Sequence, residues 1–375
     1  GNAVLQLQIL PQPVQFLLPQ VAADDSFFEL GGDSLLSTLL LNRLQSEIGE
    51  PISPVALFQS DTPRGLTRYL VEECQQKGKN LDLQAQDLTQ DHPLSLSQER
   101  MWSLAQLLPD EPLDNSGRFL KLTGNLDPQA LESDLRRVVQ RHAVLRTTFH
   151  EIHGQPRQRI HPSFPSPPLL RQLDLSPLGP EAAEAEAYLI AEREAARVFE
   201  LEKEALLRAT LIKIDRDQWI LLLMRHHLIS DGWSVALLLR ELEAPLPDLR
   251  LQYVDFVHWQ RKQAALDLPF WRQALAGSKP TRLGPDNQPG RGFAAAYMTF
   301  HLDHELVQQL RALAASRKAT LYMVLLSGFQ ALLSAATGDS DITLGSPNAN
   351  RQRSEWEPLL GFFVNTMVLR TQVDL

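Results

Sequence analysis

The sequence predicts a multidomain chain in which an all-α N-terminal unit precedes a larger α+β unit. Three observations carry this expectation. Apolar residues near the N-terminus recur at helical spacing: Leu35, Leu36, Leu39, Leu40, Leu44 and Ile48. Beyond residue 92, strand-like and helix-like stretches follow one another without strict βαβ regularity, as in layered α+β domains. Between them, Cys74 to His92 is rich in Gln, Asp and Lys and poor in large apolar side chains, as suits an exposed linker. With 375 residues the chain has room for about two or three domains. The expected division is therefore 1–73, a linker over 74–92, and 93–375.

Taken in order, Pro11 and Pro13 interrupt what should be the first helix. Ser34 opens the next one. Thr62-Pro63 opens another, with a capping hydroxyl before proline at the first helical position and Leu66 and Leu70 on one face. In the larger unit, Arg118–Thr123 alternates like a strand. Asp127–His142 reads as a helix with Leu131, Leu135, Val138 and Val139 inward, and Leu145–Ile152 returns as a strand. Glu181–Phe199 is an Ala/Glu-rich helix. Leu206–Ile214 and Trp219–Met224 flank Asp215-Arg216-Asp217, a hairpin signal. Helices follow at Gly232–Leu242, Glu305–Ala314 and Leu321–Ala336, and β-rich stretches at Asp341–Gly345 and Phe362–Thr371.

Composition excludes several classes. Thirty-six basic residues against 45 acidic ones give a net charge of −9, and no Lys/Arg block appears, which argues against a nucleic-acid partner. No run of about 18 apolar residues occurs, so no membrane span is expected. Cys74 is the single cysteine, which excludes an intrachain disulfide framework and a multi-cysteine zinc site and suits a reducing, cytoplasmic setting. The apolar opening lacks a basic region and does not read as a signal peptide. Because it starts with Gly, the sequence is expected to be an excised piece or a tagged chain.

Two segments concentrate chemistry. In FFELGGDSLLS (Phe27–Ser37), two aromatics anchor a loop, Gly31 and Gly32 allow a tight turn, and Asp33 and Ser34 sit at a helix start. A hydroxyl there lies beside the positive end of the helix dipole, where a phosphodiester is tolerated. The plainer reading makes Ser34 an N-cap. In MRHHLISDGWS (Met224–Ser234), a strand ends and a helix begins. Adjacent histidines on a strand face opposite sides, so at most one of His226 and His227 faces a given cleft. Gly232 and the following helix start offer backbone N–H groups to a developing oxyanion, and Asp231 is placed to brace the loop through an arginine. No HExxH or cysteine cluster supports a metal, and no GxSxG elbow supports a serine triad.

Taken whole, FFELGGDSLLS with the later LFQSDTPRGLTRYL resembles the carrier proteins of nonribosomal peptide and polyketide synthetases, four-helix domains. The resemblance implies 4′-phosphopantetheine on Ser34. Asp33 stands where peptidyl carriers often have His, leaving the carried group open between aminoacyl, peptidyl and polyketide. HHLISDGWS resembles the HHxxxDG motif of nonribosomal peptide condensation domains. LSLSQERMWSL, RHAVLRTTF, YVDFVHWQR and LLGFFVNTMVLR match further motifs of that family in order. This implies two chloramphenicol-acetyltransferase-like lobes around a tunnel, about 93–265 and 266–375, the second apparently incomplete. It also places His227 at the tunnel centre, as general base or as support for the tetrahedral intermediate. An imidazole, which ordinarily titrates near ~6.5, suits a proton acceptor. The resemblance implies that Asp231 pairs with an arginine, for which Arg146 of the LRT segment is the candidate. His226 and Gly232 complete the candidate catalytic set, with no metal.

The partners this implies are a phosphopantetheinyl transferase, an upstream adenylation or polyketide module, and downstream adenylation and carrier domains. The expected reaction is amide formation between the chain carried on Ser34 and a downstream aminoacyl amine. Two alternatives stand beside it: a non-catalytic docking platform, and an ester-forming or polyketide-hybrid variant.

Overall fold

A computed structural model describes residues 21–28, 30, 32, 34–48, 52, 56–73, 83–165, 168–283, 298–317 and 319–374. Among these, 83–267 and 355–365 form one compact unit, and the described parts of 21–73, 268–354 and 366–374 form another.

The N-terminal region holds Ser34–Ile48 (α1), Ala56–Gln59 (α2) and Pro63–Glu73 (α3). The expected first helix, with Pro11 and Pro13, lies outside the described residues. Leu41, Ile52, Ala56, Leu57 and Leu66 make the small core. The Thr62-Pro63 start behaves as its chemistry requires, with Gly65 N donating to Thr62 Oγ1 at 3.1 Å. The preceding loop is tied back by Ser26 Oγ to Asp61 Oδ2 at 2.7 Å and by Phe28 stacked on Phe58 at 5.2 Å.

The unit around 83–267 runs Asp91–Pro93 (β1), Leu96–Leu107 (α4), Asn115–Thr123 (β2), Pro128–Arg141 (α5), Thr147–Ile152 (β3), Gln155–Ile160 (β4) and Leu170–Asp174 (β5). Pro180–Ala195 (α6), Leu207–Asp215 (β6), Gln218–His226 (β7), Gly232–Glu243 (α7) and the helix starting at Tyr253 (α8, to Ala274) follow. Its main sheet is ordered β2-β7-β6-β5, antiparallel except for β5 beside β6. Strand β7 reads as a nearly continuous apolar run over Trp219–Met224 because both sheet faces are covered. Ile212, Ile214 and Ile220 pack on Ala183 and Ala187 of α6, while Leu211, Leu221 and Leu223 join the main core with α5 and α7. The second sheet is β1-β4-β3.

Local chemistry fixes the helix ends. Ser95 and Gln98 form a reciprocal capping box at α4, and Asp127 caps α5 ahead of Pro128. Several boundaries differ from expectation. Residues Ala143–Arg146 form a 3₁₀ turn before β3, so the strand starts at Thr147. Helix α6 stops at Ala195 rather than running to Phe199. Residues 83–92, expected in the linker, are held down: Gln86 N donates to Asp255 Oδ1 at 2.7 Å, and Asp91 pairs with Arg159 at 2.7 Å.

The remainder contains His304–Ser316 (α9), Leu321–Thr337 (α10), and the two-stranded sheet of Asp341–Asn348 (β8) with Asn365–Gln372 (β9), pinned by Arg370 on Asp341 at 2.7 Å. The β-rich stretch expected from Phe362 begins three residues later, because 355–365 serves a different purpose. Trp356, Leu359, Leu360, Phe362 and Phe363 return to the core of the first unit, so the expected lobe division at 265/266 does not hold for this segment.

Candidate functional site

Strand β7 delivers the histidine pair and then ends. His226 is its last residue, His227–Ile229 forms a 3₁₀ turn, and Asp231 caps α7. The two rings therefore have different settings. His226 is 4% exposed and lies edge-on to Phe199. Its Nδ1 accepts from Leu228 N at 3.0 Å, so its proton sits on Nε2. Burial, reinforced by His227, pushes this imidazole down to about 3. His227 is half-buried, with its ring tilted against Phe362 at 5.9 Å. Its Nδ1 donates to Ser230 O at 3.0 Å, which leaves Nε2 as the basic nitrogen.

Asp231 is buried and braces the loop. Its Oδ1 accepts from Ser234 N at 2.8 Å and Ser234 Oγ at 2.7 Å, and its Oδ2 accepts from Phe363 N at 3.1 Å. The expected Arg146–Asp231 pair is not formed. The 3₁₀ turn directs Arg146 toward the end of β4, where its Nη1 donates to His161 O. Arg146 makes no ion pair among the described residues, and burial holds its guanidinium below the usual range. Asp231 instead favours the charge of Arg225, which burial and Arg118 draw down to about 10. Arg225 Nε donates to Ser230 Oγ at 3.1 Å, so it supports the same loop. Gly232 is exposed, and a Cβ there would meet nothing within 4 Å.

Several supporting groups escape a reading of local motifs. Ser234 Oγ also meets Gly361, at 2.8 Å from its O and 3.1 Å from its N. Tyr253 Oη donates to Phe362 O at 2.7 Å, and Gln98 Nε2 donates to Leu228 O at 2.7 Å. Trp233 Nε1 donates to Glu357 O at 3.1 Å, which assigns it to packing. A Cβ on Gly361 would stand 2.0 Å from the Tyr253 ring, so only glycine fits. Ser234 and Trp233 lie within Met224–Ser234 and Tyr253 and Gln98 within other matched segments, yet their spelling does not announce these distant partners, and a lone glycine within LLGFF is the one sequence signal for the contact. Trp102 is buried in the core and Trp259 packs on it, whereas Trp271 is only half-buried against Phe270. Asn365 is exposed.

At the other candidate site, Ser34 is the first residue of α1, whose first-turn amides have no intrahelical acceptor. Gly32 N donates to Phe27 O at 2.9 Å, and a Cβ on Gly32 would fall 2.3 Å from the Phe27 ring. Asp33 and Gly31 lie outside the described residues. The first-turn amides of α1 suit a phosphodiester at Ser34, while the space beside Gly32 is filled by the Phe27 ring.

A family model for the condensation domain matches residues 89–375, and one for the phosphopantetheine attachment site matches 16–70. This chain belongs to the condensation-domain family. The attachment-site domain precedes the condensation domain and is the part that carries 4′-phosphopantetheine. A linear gramicidin synthase of Brevibacillus parabrevis is 38% identical over 378 residues, which is 95% of this chain and 7% of that protein. Malpinin synthetase of Mortierella alpina is 35% identical over 96% of this chain and 5% of its own length. The chain thus spans a small fraction of the curated relatives it matches. Among solved structures, the first condensation domain of the calcium-dependent antibiotic synthetase, in complex with substrate analogue 2a, aligns with a TM-score of 0.61 at 25% identity. The alignment covers 76% of this chain and 70% of that one. SgcC5 from Streptomyces globisporus aligns with a TM-score of 0.62 at 28% identity, covering 75% and 68%. The condensation domain here accordingly has the chloramphenicol-acetyltransferase-like α+β fold.

Proposed function

We propose that this chain is a carrier–condensation segment of a nonribosomal peptide synthetase and forms an amide bond. In this reading 1–73 is the carrier, the linker starts at 74, and the condensation domain follows. Ser34 is the attachment point. When bound, 4′-phosphopantetheine supplies a long arm ending in a thiol, on which an acyl chain rides as a thioester. The single observation that carries the reading is the tautomer of His227. With Nδ1–H committed to Ser230 O, Nε2 presents a lone pair. A downstream aminoacyl amine attacks the thioester carbonyl. As the C–N bond forms, Nε2 takes the amine proton; as the C–S bond breaks, that proton is available to the departing thiolate. Asp231, Ser234 and Phe363 keep the loop from drifting, and the vacant space over Gly232 leaves room beside it.

The partners this reading needs are a phosphopantetheinyl transferase, an upstream adenylation or polyketide module, and downstream adenylation and carrier domains, all in the cytoplasm. Among the described residues no single helix is long and apolar enough to cross a membrane. Two measurements test the proposal. Incubation with coenzyme A and a broad-specificity phosphopantetheinyl transferase is expected to add one phosphopantetheine mass, absent in Ser34→Ala. Transfer from the loaded chain to a soluble amine is expected to drop about 10²–10⁴-fold in His227→Ala with the fold retained. Wild-type transfer in that variant would overturn the role of His227. No amide under any loading would favour a docking platform, and preference for hydroxyl acceptors an ester-forming variant.

A further inference from the structure

On the first unit, a cleft of about 350 Å³ opens between the end of α4 and the 198–203 loop. Its walls include Leu108, Leu113, Phe199 and Leu201, and its floor includes Asn115 and His226. These two floor residues are direct cross-strand partners in the β2–β7 ladder, so their side chains share one sheet face. Each brings an unmet hydrogen-bonding group. His226 carries its proton on Nε2, which has no hydrogen-bond partner among the described residues, and the residue is 96% buried while still lining the cleft. Asn115 gives both Nδ2 hydrogens away, to Ala195 O at 2.8 Å and Arg197 O at 3.0 Å, which fixes the orientation of its amide. Its Oδ1 is buried with no partner. One free donor beside one free acceptor is the complement of the N–H and C=O that an extended residue turns to one side, since a single trans amide points the two in opposite directions, and leaving both unmatched is unfavourable.

We propose that this cleft is a subsite for one extended residue of the substrate chain, whose carbonyl accepts from His226 Nε2–H and whose own N–H donates to Asn115 Oδ1, with its apolar flank on Leu113 and Leu201. The rim charges select against anions: Glu111 and Glu202 stand there with Lys203, which is itself paired to Glu200 at 2.5 Å. A neutral imidazole is likewise a donor suited to a neutral carbonyl rather than a phosphate or carboxylate. His226 is thereby a binding residue on its own face, separate in task from His227. The choice of ligand rests on the peptide-assembly reading above. Peptide backbones and the pantetheine arm both supply N–H and C=O groups from successive amides, and two probes separate them.

The test uses the full chain labelled with ¹⁵N-histidine and titrated with N-acetyl-leucine N′-methylamide or with pantetheine. The expected result is a saturable shift of the His226 Nε2–H resonance. A response to the first probe alone assigns the cleft to the peptide chain, to the second alone to the arm, and to both to amides in general. His226→Asn keeps an acceptor for Leu228 N but has nothing at the Nε2 position, and should weaken binding at least tenfold. His226→Gln restores a donor there and should recover part of it. Leu113→Trp should fill the cleft and abolish the shift, and it decides the matter if His226→Asn melts too early to titrate. No saturable shift with either probe, or unchanged affinity in Leu113→Trp, overturns the subsite. These titrations need no turnover, so they fail or succeed independently of the role given to His227.

Discussion

At the scale of single residues, the two adjacent histidines divide their work because one ends a strand and the other begins a turn. His226 is held neutral when folded yet is free to protonate when unfolded. Below about pH 6.5 the unfolded chain therefore binds the extra proton, and stability falls as pH drops from there toward about 3. The slope from this one group is at most about 1.4 kcal/mol per pH unit. His150, His161 and His258, also lowered mainly by burial, act in the same direction. Denaturant midpoints of wild type and His226→Asn, compared at pH 7 and pH 5, should show a smaller acid loss in the variant. Equal losses would mean that His226 is not neutral in the fold. The pairing expected for Arg146 shows where motif reasoning stops. LRT was legible as a segment, but a 3₁₀ turn of four residues decides which way its guanidinium points, and nothing in the local spelling announces that turn.

At the scale of elements, helices and strands were largely legible because their causes are local: apolar period, Asp127-Pro128, Thr62-Pro63 and the Asp-Arg-Asp hairpin. In 355–365 the motif was legible but its place in the fold was not, because its partners lie over a hundred residues away. Leu360 N donates to His142 Nδ1 at 3.3 Å, and His142 Nε2 donates to buried Glu241 at 2.9 Å, which Arg141 also contacts at 2.5 Å. Together with Ser234, Tyr253 and Asp231, this network straps the segment against the histidine loop. Gly361→Ala should cost about 1–3 kcal/mol through the clash with Tyr253. It should also slow transfer, since Phe362 touches His227 and Phe363 holds Asp231. Thermal melting and the transfer assay, run on the same sample, check both outcomes.

At the scale of the whole molecule, the order of domains was visible in composition and motifs, but the division into compact units does not follow the chain. Trp356 is fully buried against Phe256 and Trp259, with ring centroids at 5.6 and 5.8 Å, although nearly ninety residues separate it from the rest of that core's sequence. Trp356→Ala should destabilise this unit by about 3–5 kcal/mol. Helices α1–α3 have their own core around Leu41, Leu57 and Leu66, so phosphopantetheinylation of Ser34 should persist in the variant. Mass spectrometry after modification, beside a melting curve, distinguishes the two effects. Loss of modification at a temperature where wild type is modified would show that the helical core depends on Trp356.

The strap also sets a schedule for synthesis. A ribosome adds roughly 5–20 residues per second. More than a hundred residues separate Asp231 from its partner Phe363. The nascent histidine loop therefore waits on the order of ten seconds, with Asp231 lacking its Phe363 contact and the Tyr253 face uncovered, until the closing segment emerges. A gene cut after residue 267 would leave that wait without an end, and engineers exchanging half-domains at this boundary would inherit an open seam.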